Sequence, residues 1–216
     1  MLKSIEIKKV AKWLRCALKN YDKPLPIYQV DKTNGIKVHV GCGKINIQGW
    51  INIDAVNDDH IHVNTTNLDL KEFSDGSVSE IYMCHVLEHF SFNDGKNVLI
   101  ALNKKLCDNG IIRISVPDFD KIIEIYVESN RDLDLVKHAL MGGQGYAYNF
   151  HKAVYNKKSL LKLMEESGYD KIQDWDTIKD FGINLEDWSS EKYKIARKEF
   201  PISLNVKGKK NTFDGS

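Results

Sequence analysis

Two glycines and an aspartate have the spacing of a nucleoside-binding site. Residues 37–54 read KVHVGCGKINIQGWINID, in which two short apolar runs flank a Gly41-Cys42-Gly43 turn. Glycine turns after Val- and Ile-rich runs are typical of parallel strands, and they let a ligand approach the backbone closely. Asp54 ends the second run, and its carboxylate can accept hydrogen bonds from two ribose hydroxyl groups.

The turn differs from the fingerprint of dinucleotide-binding proteins. That fingerprint has three glycines and opens a helix whose N-terminus receives the pyrophosphate. Here Asn46 occupies the third glycine position, and only Lys44 to Gly49 separate the turn from Trp50. Six extended residues span about 20 Å, which is enough to return beside a short strand but leaves no room for a helix. A ligand with a nucleoside at one end and an amino acid at the other fits better, so we predict S-adenosylmethionine as the cofactor.

Two histidines and an aspartate are candidates for acid–base chemistry. His85 lies in the motif MCHVLEHF, Asp118 follows the apolar run IIRISVP, and His151 follows the glycine-rich, aromatic segment GGQGYAYNF. Histidine titrates near neutral pH and can remove the proton of a hydroxyl acceptor. We predict His151 as the catalytic base, with His85 and Asp118 as further candidates. For both histidines a purely structural role, held by hydrogen bonds, is the open alternative.

Other polar residues in these motifs have structural interpretations. Glu88 and His89 are predicted to cap and pack the following helix, whereas His60 and His62 should alternate on one exposed strand face. His85 and His89 are four residues apart, but no third residue has metal-ligand spacing, so no metal is predicted. The four cysteines lack paired spacing, which predicts reduced thiols and a cytoplasmic protein.

The order of apolar runs predicts an α/β fold with a doubly wound, mostly parallel, Rossmann-like sheet and a short first crossover. Two late strands, 171–175 and 202–210, should form an antiparallel C-terminal edge pair joined by a long polar connection. Ligands bind beyond the carboxyl ends of the strands in such sheets, so the glycine turn, His85 and Asp118 should lie near one mouth. The earlier strands are expected at 36–41, 50–54, 60–64, 79–84 and 110–116, and helices at 93–107, 118–129, 131–140 and 157–167.

The N-terminal segment is predicted to precede the main domain. Residues 1–20 should form a basic amphipathic helix within an extension of residues 1–30, followed by a single domain of residues 31–216. Packing on the domain or on a sister subunit is the favoured interpretation, and contact with an anionic membrane surface is the alternative. A net charge of +1 argues against bulk nucleic-acid binding, and no signal peptide or apolar run of membrane-spanning length is visible.

Longer motifs resemble those of class I S-adenosylmethionine-dependent methyltransferases. Residues 74–90, SDGSVSEIYMCHVLEHF, resemble the region around the fourth strand of that family, and residues 109–122, NGIIRISVPDFDKI, resemble its fifth strand. The stretches GGQGYAYNFHKAVYNKKSLLKLMEESGY and ISLNVKGKK resemble the distal part of a bacterial branch that often accompanies surface-polysaccharide assembly. The resemblance covers residues 36–209.

This resemblance implies cofactor-binding roles for residues that follow the strands. The Gly41-Cys42-Gly43 turn matches the motif that lines the methionine and ribose, and Asp54 matches the ribose-binding acid. The backbone around Cys84 and His85 would border the reactive sulfonium. The loop that would meet the adenine departs from the usual aspartate followed by a small residue; here it contains Thr66, Asn67, Leu68 and Asp69.

The resemblance implies a methyltransferase, and no motif fixes the acceptor. We predict O-methylation of a small molecule or glycan, with N-methylation as the alternative. Aromatic residues before His151 suit a sugar. A non-catalytic cofactor-binding module of the same fold stays open, supported only by the altered adenine loop. An NAD-dependent sugar oxidoreductase or epimerase is disfavoured by Asn46 and by the placement of Tyr148 and Lys152 in a loop.

Overall fold

The computed structural model describes residues 35–182 and 185–211. The predicted helix at 1–20, its membrane alternative and the domain boundary after residue 30 lie outside the described residues, so they stay predictions. Among the helices of the described ranges, none has both the length and the apolar character needed to cross a membrane.

The described chain alternates strands and helices. The strands are β1 (Ile36–Val40), β2 (Ile51–Asp54), β3 (Val63–Asn64), β4 (Val78–Cys84), β5 (Leu106–Pro117), β6 (Tyr169–Asp174), β7 (Lys192–Ile195), β8 (Lys198–Pro201) and β9 (Ser203–Lys210). The helices are α1 (Phe92–Lys105), α2 (Phe119–Glu128), α3 (Leu133–Met141), α4 (Lys157–Glu166) and α5 (Thr177–Phe181), with a 3₁₀ turn at Leu87–His89.

A seven-stranded sheet in the order β3-β2-β1-β4-β5-β9-β6 forms the core of the fold. The first five strands of that order are parallel, β9 is antiparallel to β5, and β6 is antiparallel to β9. The predicted parallel sheet with an antiparallel C-terminal edge pair is therefore confirmed. The strand order reverses between β1 and β4, and ligands of open α/β sheets bind outside the carboxyl ends of the strands at such a point.

The short crossover between β1 and β2 is confirmed and contains no helix. The side-chain amide of Asn52 donates to Asn46 Oδ1 at 2.8 Å and to the His60 carbonyl at 3.2 Å. Buried Ile47 and Trp50 anchor the same connection in an apolar cluster. Asn46, at the third glycine position of the dinucleotide fingerprint, thus holds the crossover together.

The third strand is shorter than predicted, so His60 and His62 do not lie on a strand; His60 is half-buried and His62 is exposed. Pairing with β2 begins only at Val63. The ring of His60 donates from Nε2 to the Gly43 carbonyl at 2.9 Å, and His62 Nδ1 accepts from the backbone N–H of Asn52 at 2.9 Å. The backbone N–H of His62 also donates to the Asn52 carbonyl at 2.9 Å, so this segment is held to β2 just before the strand begins.

Two boundaries differ because β5 starts early. Helix α1 ends at Lys105, and β5 begins at Leu106 rather than at residue 110. Within the strand, Asn109 has a left-handed backbone conformation with φ of +59°. The connection between β6 and β9 is also more ordered than predicted, since it contains α5 and a β7–β8 hairpin.

We expect His39 of β1 to make folding stability depend on pH. Its side chain is 1% exposed and stacks on Tyr82, and burial lowers its pKa to about 4, against a smaller opposing effect of Asp187. The unfolded histidine binds a proton near pH 6.5 and the folded one does not, so stability is lost as the pH falls from about 6.5 towards 4. The loss should be about 2 kcal/mol between pH 7.5 and pH 5.0.

The measurement is urea unfolding at both pH values. His39→Phe keeps a ring against Tyr82 but does not titrate, so the stability of this variant should fall by about 2 kcal/mol less than that of the wild type. An equal pH dependence in the two proteins would contradict the prediction.

Candidate functional site

A cavity of about 1110 Å³ opens at the carboxyl ends of β1, β2 and β4. Small-molecule sites generally occupy about 300–1,000 Å³, so this volume is sufficient for two ligands side by side. We call the lining residues from the loops after β1, β2 and β3 the first end of the cavity. We call those that follow β4, those of the 142–152 segment and those that precede β7 the other end. The predicted cofactor residues in the lining are Gly41, Cys42, Gly43, Asp54, Thr66, Leu68, Cys84 and His85.

The glycine turn needs glycine at two positions. Gly41 and Gly43 have φ values of +62° and +54°, which other residues rarely adopt. A Cβ on Gly41 would also overlap the side chain of Val86. The backbone N–H groups of Gly41 and Cys42 donate to the Ile53 carbonyl, at 2.8 and 3.2 Å, and so tie the turn to β2. Around Gly43, no described atom lies within 4 Å of a Cβ position, so a ligand can approach the backbone there.

Asp54 holds this turn and retains acceptor capacity. Its Oδ2 accepts from the Gly43 N–H and its Oδ1 from the Val56 N–H, both at 2.8 Å. An ionised carboxylate has about four lone-pair sites, so each oxygen can accept one further hydrogen bond. The two backbone bonds fix the orientation of the carboxylate at the edge of the cavity.

The structure divides the predicted adenine loop into two parts. Thr66 and Leu68 line the cavity, whereas Asn67 and Asp69 do not. Asn67 Oδ1 accepts from the backbone N–H of Asp69 at 3.2 Å, and the Asp69 carboxylate pairs with Lys71 at 3.3 Å. Asn67 and Asp69 therefore organise the loop instead of facing a ligand.

Four polar side chains meet at the other end of the cavity, and we call them the histidine–glutamate cluster: His85, Glu88, His89 and His151. Glu88 Oε1 lies 3.4 Å from His85 Nδ1 and 3.8 Å from His151 Nε2. The ring centroids of His89 and His151 are 4.9 Å apart. The three histidines line the cavity, and the structure thus joins both predicted catalytic histidines through Glu88.

The orientation of His85 is determined by Ser203. The Ser203 hydroxyl donates to the Trp188 carbonyl at 2.6 Å, so it accepts from His85 Nε2–H at 2.7 Å. Nδ1 of His85 then carries the lone pair and faces Glu88. The ring stacks on Trp188 at 5.7 Å between centroids, and His85 has a φ of +52°, an unfavourable conformation that the surrounding contacts maintain.

The other two rings are oriented by main-chain carbonyl groups. His89 Nδ1 lies 3.2 Å from the Phe150 carbonyl oxygen, and His151 Nδ1 lies 3.0 Å from that of Ala139. Carbonyl oxygens only accept, so both Nδ1 atoms carry hydrogen and both Nε2 atoms hold lone pairs. Burial lowers the pKa of His151 to about 4 and that of His85 to about 3, which keeps these rings neutral.

Glu88 does not cap the following helix, so that interpretation is wrong. Ser91 is the N-cap of α1 and accepts from the Asp94 N–H at 3.2 Å. Glu88 is 1% exposed, and within the described residues neither carboxylate oxygen has a hydrogen-bond partner, since the contacts to His85 and His151 are too long. Burial raises the pKa of Glu88 to about 8.

Asp118 is not brought into the cavity. It is the N-cap of α2, where its side chain accepts from the Asp120 N–H at 3.1 Å. Its own backbone N–H donates to the Ile202 carbonyl at 2.9 Å. These contacts show that Asp118 has a structural role at the start of α2. Of the predicted catalytic residues, His85 and His151 line the cavity.

The sequence analysis missed Asp187 and Trp188, which it treated as part of a polar connection. Asp187 Oδ2 accepts from the Tyr82 hydroxyl at 2.5 Å, and this bond anchors the segment to β4. Trp188 is 52% exposed and lines the cavity beside His85. A lone tryptophan within LEDWSSEKY was the available signal.

The aromatic loop before His151 contributes exposed faces to the cavity. Tyr146, Tyr148 and Phe150 are 53%, 49% and 42% exposed and all line it. The loop closes on itself through the Gln144 N–H, which donates to the Asn149 carbonyl at 2.8 Å. Flat, partly exposed apolar surfaces therefore lie next to the histidine–glutamate cluster.

No family model and no curated protein matches the sequence. Solved structures do match. A methyltransferase from Thermotoga maritima, described as S-adenosylmethionine-dependent and a possible histamine N-methyltransferase, superposes with a TM-score of 0.51 and 15% identity over 82% of both chains. The YcgJ protein of Bacillus subtilis has a TM-score of 0.50 and 12% identity, over 82% of this chain and 92% of its own.

The CurJ carbon methyltransferase matches 85% of this chain with a TM-score of 0.50 and 12% identity. This chain spans half of that structure's length. Similarity at these identities concerns the fold alone, and it shows a Rossmann-like methyltransferase fold, as predicted.

Proposed function

We propose that the protein is an S-adenosylmethionine-dependent methyltransferase that methylates a hydroxyl group of a small molecule or glycan. The observation that carries this proposal is the arrangement of the cavity. One end has the Gly41–Gly43 turn and Asp54, and the other has exposed aromatic faces beside the histidine–glutamate cluster. A single cavity with two chemically different ends suits two substrates that must meet.

The residues at the first end fit this cofactor. Asp54 keeps lone pairs for ribose hydroxyl groups, and the backbone at Gly43 is open to a ligand. Cys84 and His85, at and after the end of β4, line the same cavity, and we expect the methionine portion to lie beside them. When bound, S-adenosylmethionine supplies a methyl group activated by attachment to a sulfonium. Two of the similar structures are themselves named as methyltransferases.

The second end fits a hydroxylated acceptor. Aromatic faces of Tyr146, Tyr148 and Trp188 provide surfaces for a sugar ring. A hydroxyl acceptor must lose its proton as the methyl group is transferred, and a neutral imidazole can accept it. His151 is our choice of base because its Nε2 holds a lone pair when Nδ1 donates to the Ala139 carbonyl, and because the ring lies beside the aromatic loop.

The NAD-dependent alternative lacks a structural basis in the described residues. The turn after β1 is not followed by a helix, so the helix N-terminus that would receive a pyrophosphate is missing there. The non-catalytic alternative is still supported only by the difference between the loop of residues 66–69 and the usual adenine-binding loop of the family. Formation of a methylated product with any acceptor would eliminate this alternative.

Calorimetry tests the cofactor assignment directly. S-adenosylhomocysteine should bind at micromolar Kd with one site per chain, and NAD at the same concentrations should give no binding heat. The reason is that Asp54 and the glycine turn complement a ribose, and no pyrophosphate site accompanies them. Binding of NAD in preference to S-adenosylhomocysteine would contradict the proposal.

Once cofactor binding is established, a screen of nucleotide sugars with radiolabelled S-adenosylmethionine would identify the acceptor.

A further inference from the structure

We propose that Glu88, His89 and His151 form a binding site for a divalent transition-metal ion of the Zn²⁺ type. One potential ligand atom of each residue lies within 4.8 Å of those of the other two. Ligand atoms around tetrahedral zinc are about 3.4 Å apart, given bonds of about 2.0–2.1 Å, so each atom has to move by less than about 1 Å. Ordinary side-chain rotation provides such a movement.

The carboxylate of Glu88 points to a missing partner. A buried polar group almost always has a hydrogen-bond partner, because desolvation without one is unfavourable. Glu88 is 1% exposed, and both its oxygens lack such a partner within the described residues. The ring nitrogens of His85 and His151 that face it hold lone pairs and cannot donate to a carboxylate. A protonated Glu88 could donate to one of them, but the distances of 3.4 and 3.8 Å are longer than those of good hydrogen bonds. A cation bound by Glu88, His89 and His151 would be coordinated by a carboxylate oxygen and by the nitrogen lone pairs together.

The contacts behind the rings have the pattern of metal-ligating histidines. Such histidines generally donate their second ring nitrogen to a carbonyl or carboxylate, which fixes the ring and directs the lone pair. His89 donates from Nδ1 to the Phe150 carbonyl, and His151 donates from Nδ1 to that of Ala139. In these tautomers Nε2 of each ring holds a lone pair, and that of His151 lies 3.8 Å from Glu88 Oε1.

The donor set selects the class of metal. Two imidazole nitrogens and one carboxylate oxygen suit zinc and similar ions, whereas Ca²⁺ and Mg²⁺ prefer sites built of oxygen atoms. His89 and His151 line the cavity, so a fourth coordination position can be filled by water or by a hydroxyl group from the cavity side.

The site goes beyond the proposed function and does not depend on it. A metal on His151 Nε2 would use the lone pair that a free base needs, so metal binding decides between the two roles.

A buried water molecule is the competing occupant. The hydroxyl of Tyr155 is also buried without a partner within the described residues, and its pairing with Glu88 through a water molecule would satisfy both groups. This arrangement requires no metal affinity.

The test is metal binding by the full-length protein after dialysis against a chelator, without cofactor or acceptor. Co²⁺ should bind one per chain with the visible absorption of low-coordinate cobalt, and Zn²⁺ should displace it. Glu88→Gln, of equal size, should weaken binding by at least about 10–100-fold, which is what loss of outer-shell partners alone costs. His89→Gln, at a half-buried position, gives the same test if the first variant does not fold.

The matched control is His138→Gln, because His138 is an exposed histidine that lines the cavity outside the cluster. It should bind Co²⁺ as the wild type does. Absence of stoichiometric binding in the wild type, or equal binding by the wild type and the folded Glu88 or His89 variant, would overturn the inference in favour of the water. Because neither S-adenosylmethionine nor an acceptor is present, failure of the proposed function would leave this result unchanged.

Discussion

Turnover of the His151→Ala variant on the true acceptor should fall by about 10²–10⁴-fold, while its affinity for S-adenosylhomocysteine stays nearly unchanged. The reason is position. His151 lies beside the aromatic loop and contacts Glu88, whereas the cofactor end of the cavity is built from the Gly41–Gly43 turn and Asp54. Loss of the base, or of a metal ligand at the same atom, removes activation of the acceptor without touching the nucleoside site.

The comparison variant is His85→Ala, which should impair cofactor binding and turnover together. His85 follows β4 next to Cys84, and its ring bonds Ser203 and stacks on Trp188. Its removal therefore changes the part of the cavity beside Cys84, where we expect the cofactor and the acceptor to meet. Cofactor affinity is measured by calorimetry and turnover by radiolabelled methyl transfer. Full activity of His151→Ala on that acceptor would make the assignment wrong and leave His85 as the next candidate.

For Asp54→Ala, we expect affinity for S-adenosylhomocysteine to fall tenfold or more. Two charge-assisted hydrogen bonds to ribose would be lost, at about 1.5–3 kcal/mol each before compensation by water. The variant also removes the acceptor of the Gly43 and Val56 N–H groups, so the turn loses its fixed position. Both effects weaken the same end of the cavity.

Two further variants separate these effects. Asp54→Asn keeps one side-chain oxygen acceptor but has no charge, so its affinity should lie between those of the wild type and Asp54→Ala. Asp58→Ala removes an exposed carboxylate in the same loop. Among the described residues, this carboxylate accepts a hydrogen bond only from the backbone N–H of Asp59, so the variant should bind S-adenosylhomocysteine as the wild type does. Unchanged affinity in folded Asp54→Ala would show that the ribose lies elsewhere.

Local patterns in the sequence determined most of the fold. Alternation of apolar runs with glycine turns predicted the parallel sheet, and the six residues between Gly43 and Trp50 predicted a crossover without a helix. The late strands and their antiparallel pairing were also predictable. These properties depend on residue spacing along a short stretch of chain, so they can be read without knowledge of distant contacts. The position of the Gly41–Gly43 turn and Asp54 at one strand edge follows from the same spacing.

Only the tertiary structure decided the histidine–glutamate cluster. The sequence places Glu88 near a predicted helix start, and its position beside His85 and His151 depends on how residues 142–152 pack against the 3₁₀ turn at Leu87–His89. The position of Asp118 after a strand predicted a catalytic role. In the structure its side chain caps the N-terminus of α2 instead.

Distant partners also set the ring orientations. His85 is oriented by Ser203, 118 residues away, and His89 by the Phe150 carbonyl, 61 residues away. No local pattern carries such information, because a hydrogen-bond partner far along the chain is specified only when the elements pack. Chain spacing therefore determined the end of the cavity that contains the Gly41–Gly43 turn and Asp54, and long-range packing determined the end that contains the histidine–glutamate cluster.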